Sequence, residues 1–452
     1  MEQVLQQFCL DGTPVSCEPF GNGHINRTFR VTCSSGRVYT LQRINRVAFR
    51  HPEELIENID AVSRFIAKKN TGLEMIRLCT ARGGRKYAVD AQGEFWRAYD
   101  YISGGLSLEA PRDCNDFYQA AVAFGKFQQA LADFPAATLH ETIPRFHDTE
   151  DRLCQLRASV EADACGRVRE AGPELAFISA REQELGTLCR MLRSGALPLR
   201  VTHNDTKLNN VLLDEKTGLA RSVLDLDTVM PGLSAYDFGD AVRFGASSAA
   251  EDETDLSKVF LRLDLYRAFL EGYLDACGHA LTENEISVLP LGAKIITIEL
   301  GMRFLKDYLD GDVYFKIDRP TQNLDRCRTQ FKLVADMAAA RGGHGSAMAA
   351  DAADPAGIGR LPLPDITFLS LFHRKKSPFG GSQRRRGLFL LTAHRRGGSA
   401  KTARKAHGLC SFPDGAFRGR KSARQKVRTA TSRADKKFVH RLPVTAGAQV
   451  WF

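Results

Sequence analysis

The chain has 452 residues, of which 43% are hydrophobic, so it exceeds one ordinary compact domain and can bury a sizeable core. It contains no apolar run of the roughly 18–20 residues that a membrane-spanning helix needs. Its first residues lack the basic and apolar regions of a signal peptide, so we expect a cytoplasmic protein without a membrane segment. The 11 cysteines are scattered and include no CxxC pair, which argues against a disulfide framework or a zinc site.

The net charge of +10 is unevenly distributed along the chain. Residues 341–452 hold 23 Lys and Arg against 5 Asp and no Glu, a net charge of +18. Residues 1–340 hold 40 basic and 48 acidic residues, a net charge of −8. This asymmetry predicts a boundary near residue 341 and assigns the basic character to a tail, whereas the acidic body has no nucleic-acid-binding signature.

The first hundred residues predict a small β-rich lobe. Short apolar strands alternate with turn residues at the start, and glycines mark the first turn. A helical pattern that begins with a proline follows, and then a second hairpin pattern. The predicted elements are strands within 15–45, a helix over 51–69 with Leu55, Ile59, Val62 and Ile66 on its buried face, and a hairpin over 86–102 that turns at 91–93.

From residue 113 onward the pattern is helical. Asn115 is the predicted N-cap of the first helix in this part. Between residues 199 and 240 the helical pattern is interrupted by two short apolar strands, NVLLDE and SVLDLD. The predicted helical segments are 116–134, 149–194, 255–277, 284–310 and 314–340.

The basic tail, residues 341–452, begins with a linker of small residues and continues with clusters of Lys and Arg that show little periodicity. This composition favours disorder. Two alternatives stay open: a basic arm that binds nucleic acid or an anionic surface, and a segment that is fused or translated out of frame. The absence of Glu over the whole tail fits the second alternative.

The sharpest chemical signal lies in residues 201–232. His203-x-Asp205 is followed by Asn210, by the two strands and then by Asp225. Phosphoryl transfer from ATP needs a carboxylate that orients the attacking hydroxyl and oxygen ligands that hold Mg²⁺ against the phosphates. Asp205 suits the first role, and Asn210 and Asp225 suit the second if a hairpin brings them together. A loop capped by Asp and Asn is the structural alternative, and we expect His203 to support the loop.

A glycine-rich turn, Gly21-Asn22-Gly23-His24, joins the first two predicted strands. Glycines let backbone N–H groups approach phosphates without a clash at Cβ. An ordinary hairpin turn is the alternative, but the position upstream of the Asp205 loop favours phosphate binding. His24 could then reach phosphate or acceptor.

These residues give the chain a family resemblance over residues 15–335, about seven-tenths of its length. It resembles the aminoglycoside-phosphotransferase-like kinases, and most closely the bacterial N-acetylhexosamine 1-kinases. The matching segments are GNGHINRTF, YTLQRIN, THNDTKLNNVLLD, VLDLDTVMPG, YDFGDAVR, IELGMRFLKDYLDGDVYF and NLDRCRTQFKL.

The resemblance implies an α+β, two-lobed, protein-kinase-like fold with a small β-rich N-lobe (residues 1–103), a larger helical C-lobe (104–340) and then the basic tail (341–452). It implies ATP and Mg²⁺ as cofactors and transfer of the γ-phosphate to the anomeric hydroxyl of N-acetylglucosamine or N-acetylgalactosamine. The implied site residues are the catalytic Asp205; the metal ligands Asn210 and Asp225; Gly21, Gly23, Gln42, Tyr101 and Ile102 around ATP; and His24, Thr228, Arg303 and Tyr314 around the sugar. For Arg303, a salt bridge to Glu299 is the alternative.

The third predicted strand departs from the wider kinase pattern. Gln42 stands where most kinases have the lysine that holds the α- and β-phosphates, and Arg43 points to the opposite face if the strand is regular. The QRIN segment also occurs in the hexosamine-kinase-like group, so this departure does not by itself mean inactivity.

Two other functions remain open. The acceptor could be another sugar, an aminoglycoside, homoserine or a choline-like alcohol, although no Trp or Tyr cluster near Asp205 suggests a cage for a cationic acceptor. Alternatively, the protein could be non-catalytic and bind nucleic acid through its tail. We expect a chain that ends at Arg341 to keep its fold and activity.

Overall fold

The computed structural model describes residues 1–21 and 25–342. Gly23 and His24 of the glycine-rich turn lie outside the described residues, as does the basic tail after residue 342. Within the described part, no helix is long and apolar enough to cross a bilayer. The ten described cysteines are free thiols.

The first lobe contains an antiparallel sheet, as the sequence predicts. Its elements are α1 (Glu2–Leu5), β1 (Pro14–Pro19), β2 (Arg27–Cys33), β3 (Val38–Arg43), α2 (Pro52–Ala67), β4 (Ala88–Val89) and β5 (Phe95–Asp100). The five strands are ordered β1-β2-β3-β5-β4. The predicted hairpin over 86–102 is confirmed, since β4 pairs with β5.

The two faces of this sheet have different surroundings. On one face, alternate residues such as Leu41 and Ala98 are buried and pack with apolar residues of α1. On the other face, Thr28 lies opposite Gln42, and Gln42 lies opposite Arg97. Because directly opposed residues of paired strands share a face, these three polar side chains form one row across β2, β3 and β5.

Helix α2 forms where the sequence predicts it. Its four predicted core residues are at most 1% exposed: Leu55, Ile59, Val62 and Ile66. Burying side chains of this size contributes about 1.5–3 kcal/mol each. They share a core with Phe117 and Phe124 of the second lobe, and Asn58 Nδ2 donates to Val229 O at 3.0 Å. Helix α2 therefore fastens the segment after β3 to the second lobe.

The second lobe is mainly helical, as predicted. Its helices are α3 (Cys114–Ala130), α4 (Thr149–Ala162), α5 (Gly172–Ser179), α6 (Glu182–Leu185), α7 (Thr187–Arg193), α8 (Ser234–Gly245), α9 (Leu263–Cys277), α10 (Glu283–Leu309) and α11 (Gln322–Gly342). Helix α3 packs along α9, and the long α10 packs against α4, α8 and α11. Helix α10 begins with a capping box between Thr282 and Glu285, which satisfies free N–H groups of its first turn.

Helices α8 and α10 approach each other through glycines. A Cβ atom on Gly239 would lie 2.6 Å from the carbonyl oxygen of Gly292, closer than real Cβ contacts. This close approach fixes the position of α8, whose acidic side chains bind the loop that contains Asp205.

Four details of the helical prediction were wrong, one of them being that the segment predicted from 314 begins its helix only at Gln322. The N-cap of α3 is Asp113, whose side chain accepts from the Asp116 N–H, rather than Asn115, which lies inside the helix. The predicted segment 149–194 is divided into α4 to α7, because left-handed residues such as Asp163 and Gly166 end α4 and turn the chain. The segment predicted from 255 begins its regular helix only at Leu263.

Short strands interrupt the helical lobe between residues 199 and 240, as predicted. They are β7 (Arg200–Thr202), β8 (Val211–Asp214), β9 (Ala220–Val223) and β10 (Met230–Gly232), and β6 (Gly105–Leu106), from earlier in the chain, pairs with β8. Strands β8 and β9 form the expected hairpin, with Val211 opposite Val223. Strand β7 pairs with β10, so the loop after β7 and the segment after β9 lie together.

Candidate active site

The loop after β7 is held by buried carboxylates of α8. Asp237 is 1% exposed and accepts hydrogen bonds from the backbone N–H groups of His203 at 2.9 Å and Asn204 at 2.8 Å. Asp240 accepts from the Thr206 N–H at 2.8 Å. Asn204 has a φ of 63°, a left-handed conformation that Asn adopts more readily than most residues. These contacts fix the conformation of the loop. The sequence reasoning missed both carboxylates, although the YDFGDAVR segment contains them.

His203 supports the loop from the inside. Its ring is buried beside Phe124 and Phe127. One ring nitrogen lies 2.8 Å from the carbonyl oxygen of Leu224, and the other lies 3.3 Å from the Asp205 N–H nitrogen. Since both nitrogens are occupied, the geometry fits the expected supporting role rather than proton transfer.

The β8–β9 hairpin places Asn210 beside Asp205. Asn210 Nδ2 donates to the Asp205 backbone carbonyl at 2.8 Å and to its carboxylate Oδ2 at 3.0 Å. Lys207 Nζ lies 2.9 Å from the other carboxylate oxygen. Burial opposes the charge of Lys207, but Asp205 and Asp240 raise its pKa. The sequence reasoning missed Lys207, and the signal that could have found it is its position two residues after Asp205.

Asp225 follows β9 with a φ of 51°, exposed to solvent. Its carboxylate makes no hydrogen bond or ion pair with any described residue. Desolvation by the surrounding protein raises the pKa of Asp225, and the neighbouring carboxylates of Asp227 and Asp205 raise it further. Asn210 Oδ1 is also available, because the amide uses Nδ2 toward Asp205. The Leu224 N–H donates to the Asn210 backbone carbonyl at 2.8 Å, which brings the segment of Asp225 to that of Asn210. A carboxylate oxygen and an amide oxygen are ligands that fit a hard cation such as Mg²⁺.

Asp227, two residues later, links the two lobes. Its Oδ2 accepts from Asn26 Nδ2 at 2.7 Å, and its Oδ1 lies 2.5 Å from Arg97 Nη1. The side chains of Arg97 and Asp227 are 3% and 5% exposed. Asn26 precedes β2 and Arg97 lies on β5, so both partners belong to the sheet lobe. The sequence reasoning missed all three residues.

Gln42 is occupied within the sheet. Its Nε2 donates to Thr28 Oγ1 at 3.0 Å, and its Oε1 accepts from Arg97 Nε at 2.9 Å and Nη2 at 2.6 Å. Arg43 lies opposite Trp96, one residue along the strand and therefore on the other face, as expected.

The segment after β5 lies beside the start of the glycine-rich turn. The Phe20 ring meets the Tyr101 ring edge-on at 5.6 Å, and Gly21 has a φ of 79°. The Tyr101 N–H donates to Val38 O at 3.2 Å. Ile102 packs against the main core, and no hydrogen bond among the described residues uses its peptide N–H.

Thr228 is 3% exposed, and its contacts are with the Asp205 loop. Its Oγ1 donates to His203 O at 2.6 Å, and its carbonyl accepts from Asn204 Nδ2 at 2.8 Å. The structure therefore brings Thr228 to the loop but places it behind the loop backbone.

Arg303 and Tyr314 lie together in a second cluster, which we call the arginine–aromatic cluster. The Arg303 guanidinium carbon lies 5.9 Å from the centre of the Tyr314 ring, 5.4 Å from that of Phe146 and 5.6 Å from that of Phe315. Tyr314 is 50% exposed. No contact among the described residues joins Arg303 or Tyr314 directly to Asp205.

The alternative expected for Arg303, a salt bridge to Glu299, does not form between these two described residues. Glu299 instead accepts from Thr149 Oγ1 at 3.1 Å and lies 2.9 Å from His147 Nδ1. Burial raises the pKa of Glu299, but His147, Arg152 and Arg303 together hold it below its usual value. Arg303 thus contributes to the field at Glu299 without being tied to it.

Comparisons with known proteins identify the family of this chain. A family model described as the phosphotransferase enzyme family (APH) matches residues 16–274. The chain therefore belongs to this family of phosphotransferases. It is a small-molecule kinase, an enzyme class that phosphorylates alcohol groups.

Two solved structures resemble the fold. One is a microcompartment-associated aminopropanol kinase, with a TM-score of 0.54, 17% identity, and coverage of 75% of this chain and 97% of that chain. The other is the amicoumacin kinase hAmiN in complex with AMP-PNP, Ca2+ and Ami, with a TM-score of 0.50, 13% identity, and coverage of 72% and 90%. At this identity the likeness concerns the fold alone, and it confirms the predicted two-lobed kinase-like architecture.

Proposed function

We propose that this enzyme uses ATP and Mg²⁺ to phosphorylate the anomeric hydroxyl of N-acetylglucosamine or N-acetylgalactosamine. The observation that carries the chemistry is the arrangement of Asp205, Asn210 and Asp225. Asn210 orients the Asp205 carboxylate, and Asp225 remains without a partner among the described residues. This combination supplies an oriented carboxylate and free oxygen ligands, which phosphoryl transfer requires.

In this proposal Asp205 accepts a hydrogen bond from the acceptor hydroxyl and aligns it with the γ-phosphorus. The new O–P bond forms as the bond to the β-phosphate oxygen breaks, and ADP leaves with that oxygen. The hydroxyl proton passes to the Asp205 carboxylate and then to solvent. Lys207 balances the charge of Asp205 beforehand. Mg²⁺, held by Asn210 Oδ1 and Asp225, would neutralise the charge that develops on the phosphates.

The nucleotide would lie between the glycine-rich turn and the segment after β5. Gly21 begins the turn with a positive φ, and the family resemblance includes Gly23. The free peptide N–H of Ile102 suits adenine, and the Phe20–Tyr101 contact brings the two segments together. Gln42 would act on ATP indirectly, because both ends of its amide are occupied within the sheet.

The acceptor proposal draws on the arginine–aromatic cluster. The Arg303 guanidinium forms no ion pair with any residue that the structure describes, and it lies beside the half-exposed Tyr314. Guanidinium and phenol groups can donate to sugar hydroxyls and to an acetamido carbonyl. Burial lowers the pKa of Arg152, and the nearby charge of Arg303 lowers it further. Two arginines beside one buried glutamate disfavour a cationic acceptor such as choline. His24 completes the proposed sugar contacts, whereas Thr228 would act indirectly by holding the Asp205 loop.

We also propose the division into lobes at residues 1–103 and 104–340 and a cytoplasmic location. The tail at 341–452 has no part in the proposed reaction. Nucleic-acid binding would then be confined to the tail.

The proposal is tested by ATP turnover with Mg²⁺ across six acceptors: the two N-acetylhexosamines, glucose, galactose, choline and homoserine. We expect turnover confined to the N-acetylhexosamines, with a sugar 1-phosphate as the product. Turnover with another acceptor would overturn the substrate proposal and keep the chemistry. Turnover that survives in Asp205→Ala would overturn the catalytic assignment.

A further inference from the structure

The row Thr28–Gln42–Arg97 contains a cation that could replace the lysine missing at position 42 of β3. A neutral amide occupies the β3 position where kinases usually have a phosphate-binding lysine, yet a buried cation lies directly opposite it on β5. Arg97 is 3% exposed and reaches across the cleft to Asp227. Compared with the usual kinase arrangement, the cation lies on the neighbouring strand β5 instead of β3, on the same face of the sheet.

Gln42 fixes the position of the Arg97 guanidinium. Its Oε1 accepts from both Nε and Nη2 of Arg97, and its Nε2 is fixed by Thr28. This leaves the guanidinium with one orientation about its long axis. A lysine at position 42 would bring a second cation against Arg97, so the amide and the arginine form a matched pair.

The guanidinium keeps donors for a ligand. Three of its five N–H groups are engaged, those of Nε and Nη2 with Gln42 Oε1 and one of Nη1 in the 2.5 Å ion pair with Asp227 Oδ1. The second N–H group of each terminal nitrogen is left for another acceptor. Arginine suits phosphate because its planar fork donates two parallel N–H groups.

The position of the Arg97 guanidinium favours phosphate oxygens as acceptors for its remaining N–H groups. Arg97 bonds to β3 on one side and meets the segment 225–227 on the other. Asp227, Tyr99 and Asp225 outweigh the effect of burial and raise the pKa of Arg97, so it is a fixed cation beside the candidate metal ligand.

We propose that Arg97 binds the α- and β-phosphate oxygens of the nucleotide in place of a β3 lysine, with Gln42 as its positioning residue. This inference rests on the proposed function, since it needs ATP in the cleft. A purely structural cross-link between the lobes, through Asp227, is the rival explanation.

The test measures the affinity of ADP with Mg²⁺ and of adenosine by titration calorimetry. Arg97→Met should weaken ADP binding about 10- to 100-fold, as expected for a lost charge-assisted contact, while adenosine binding changes less than about twofold. Adding Gln42→Lys to Arg97→Met should restore ADP binding to within about tenfold of wild type, because the new lysine returns the cation to β3. Arg85→Met, at an exposed arginine over the Tyr87 ring, is the matched control and should change neither affinity.

Loss of ADP and adenosine binding together in Arg97→Met would support the cross-link and overturn the assignment, as would unchanged ADP binding. If Arg97→Met does not fold, Arg97→Lys decides the question, because it keeps the charge and shortens the fork. Preserved ADP affinity within about tenfold supports the phosphate role, and equal loss of ADP and adenosine overturns it. Absence of ADP binding by the wild-type protein would instead overturn the proposed function itself.

Discussion

The Asp205 loop and the arginine–aromatic cluster are built in different ways. Around the loop, Asp237 and Asp240 accept from three backbone N–H groups, and these two side chains are almost completely buried. In the cluster, Arg303 lies among three rings and forms no ion pair within the described part of the chain, and Tyr314 is half exposed. One region is fixed by directional bonds, and the other by non-directional packing.

We infer from this difference that the Asp205 loop carries out the phosphoryl transfer and that the arginine–aromatic cluster selects the acceptor. Aligning a hydroxyl with a phosphorus atom tolerates little displacement, so a rigid loop suits the reacting groups. Recognising an acceptor requires donors that remain free until the acceptor arrives, and unpaired groups beside aromatic rings provide them. Substitutions of the reacting groups should therefore have the largest effects, and changes far from both regions the smallest.

The largest effect is expected for Asp205→Asn. The substitution keeps the shape of the side chain but removes the charge that receives the hydroxyl proton, so kcat should fall about 10²- to 10⁴-fold. Thermal unfolding should shift little, because the side chain is 22% exposed. Steady-state kinetics and a melting curve check this pair of results. A kcat within threefold of wild type would remove Asp205 from the reaction.

Asp237→Ala tests the rigidity of the loop. It leaves the N–H groups of His203 and Asn204 and the amide of Gln128 without their acceptor, and we expect a loss of about 3–5 kcal/mol in the free energy of unfolding. Denaturant unfolding measures it. Asp275→Ala is the matched control, because this exposed carboxylate accepts, among the residues the structure describes, only from Tyr118. Its loss should cost less than about 1 kcal/mol. Equal effects would mean that the buried bonds do not hold the loop.

Gly239→Ala tests the helix contact beneath the loop. The new methyl group would lie 2.6 Å from Gly292 O, which should cost about 1–3 kcal/mol. Gly172→Ala is the control, since a methyl group there meets nothing within 4 Å. Denaturant unfolding of both variants gives the comparison, and an unaffected Gly239→Ala would show that α8 and α10 can separate at little cost.

The smallest effect is expected for ending the chain after Gly342, which keeps all of α11. The melting temperature should change by less than about 3 °C and kcat/KM by less than about twofold, since a surface change away from packed elements is near neutral. A truncated protein that fails to fold would assign a structural role to the tail. This would contradict the proposed boundary near residue 341.

The sequence could predict the elements that follow a strict period. Strands β1 to β3 and the buried face of α2 followed from alternation and helical spacing, and the β8–β9 hairpin followed from its two apolar runs. The proximity of Asp205 and Asn210 followed from that hairpin. The long region 149–194 looked continuous because helical spacing persists across left-handed residues such as Asp163, which end a helix without changing the apolar pattern.

The contacts that join separate segments could not be predicted. Arg97 and Gln42 are 55 residues apart, and only the sheet register places them opposite one another. Asp237 and Asp240 look like ordinary acidic residues of a helix, because a single sequence does not reveal that their side chains turn inward. Likewise, the Arg303–Glu299 spacing suggested a salt bridge, but His147 and Thr149 from another part of the chain occupy the glutamate.

The most direct test of the division between chemistry and acceptor choice is steady-state kinetics of Arg303→Met beside Asp205→Asn with N-acetylglucosamine. The account predicts that Arg303→Met raises the KM for the acceptor at least about tenfold and lowers kcat less than about fivefold. Asp205→Asn should do the opposite, with a low kcat and an acceptor KM close to wild type. A fall in kcat for Arg303→Met as large as that for Asp205→Asn, with an unchanged acceptor KM, would contradict it.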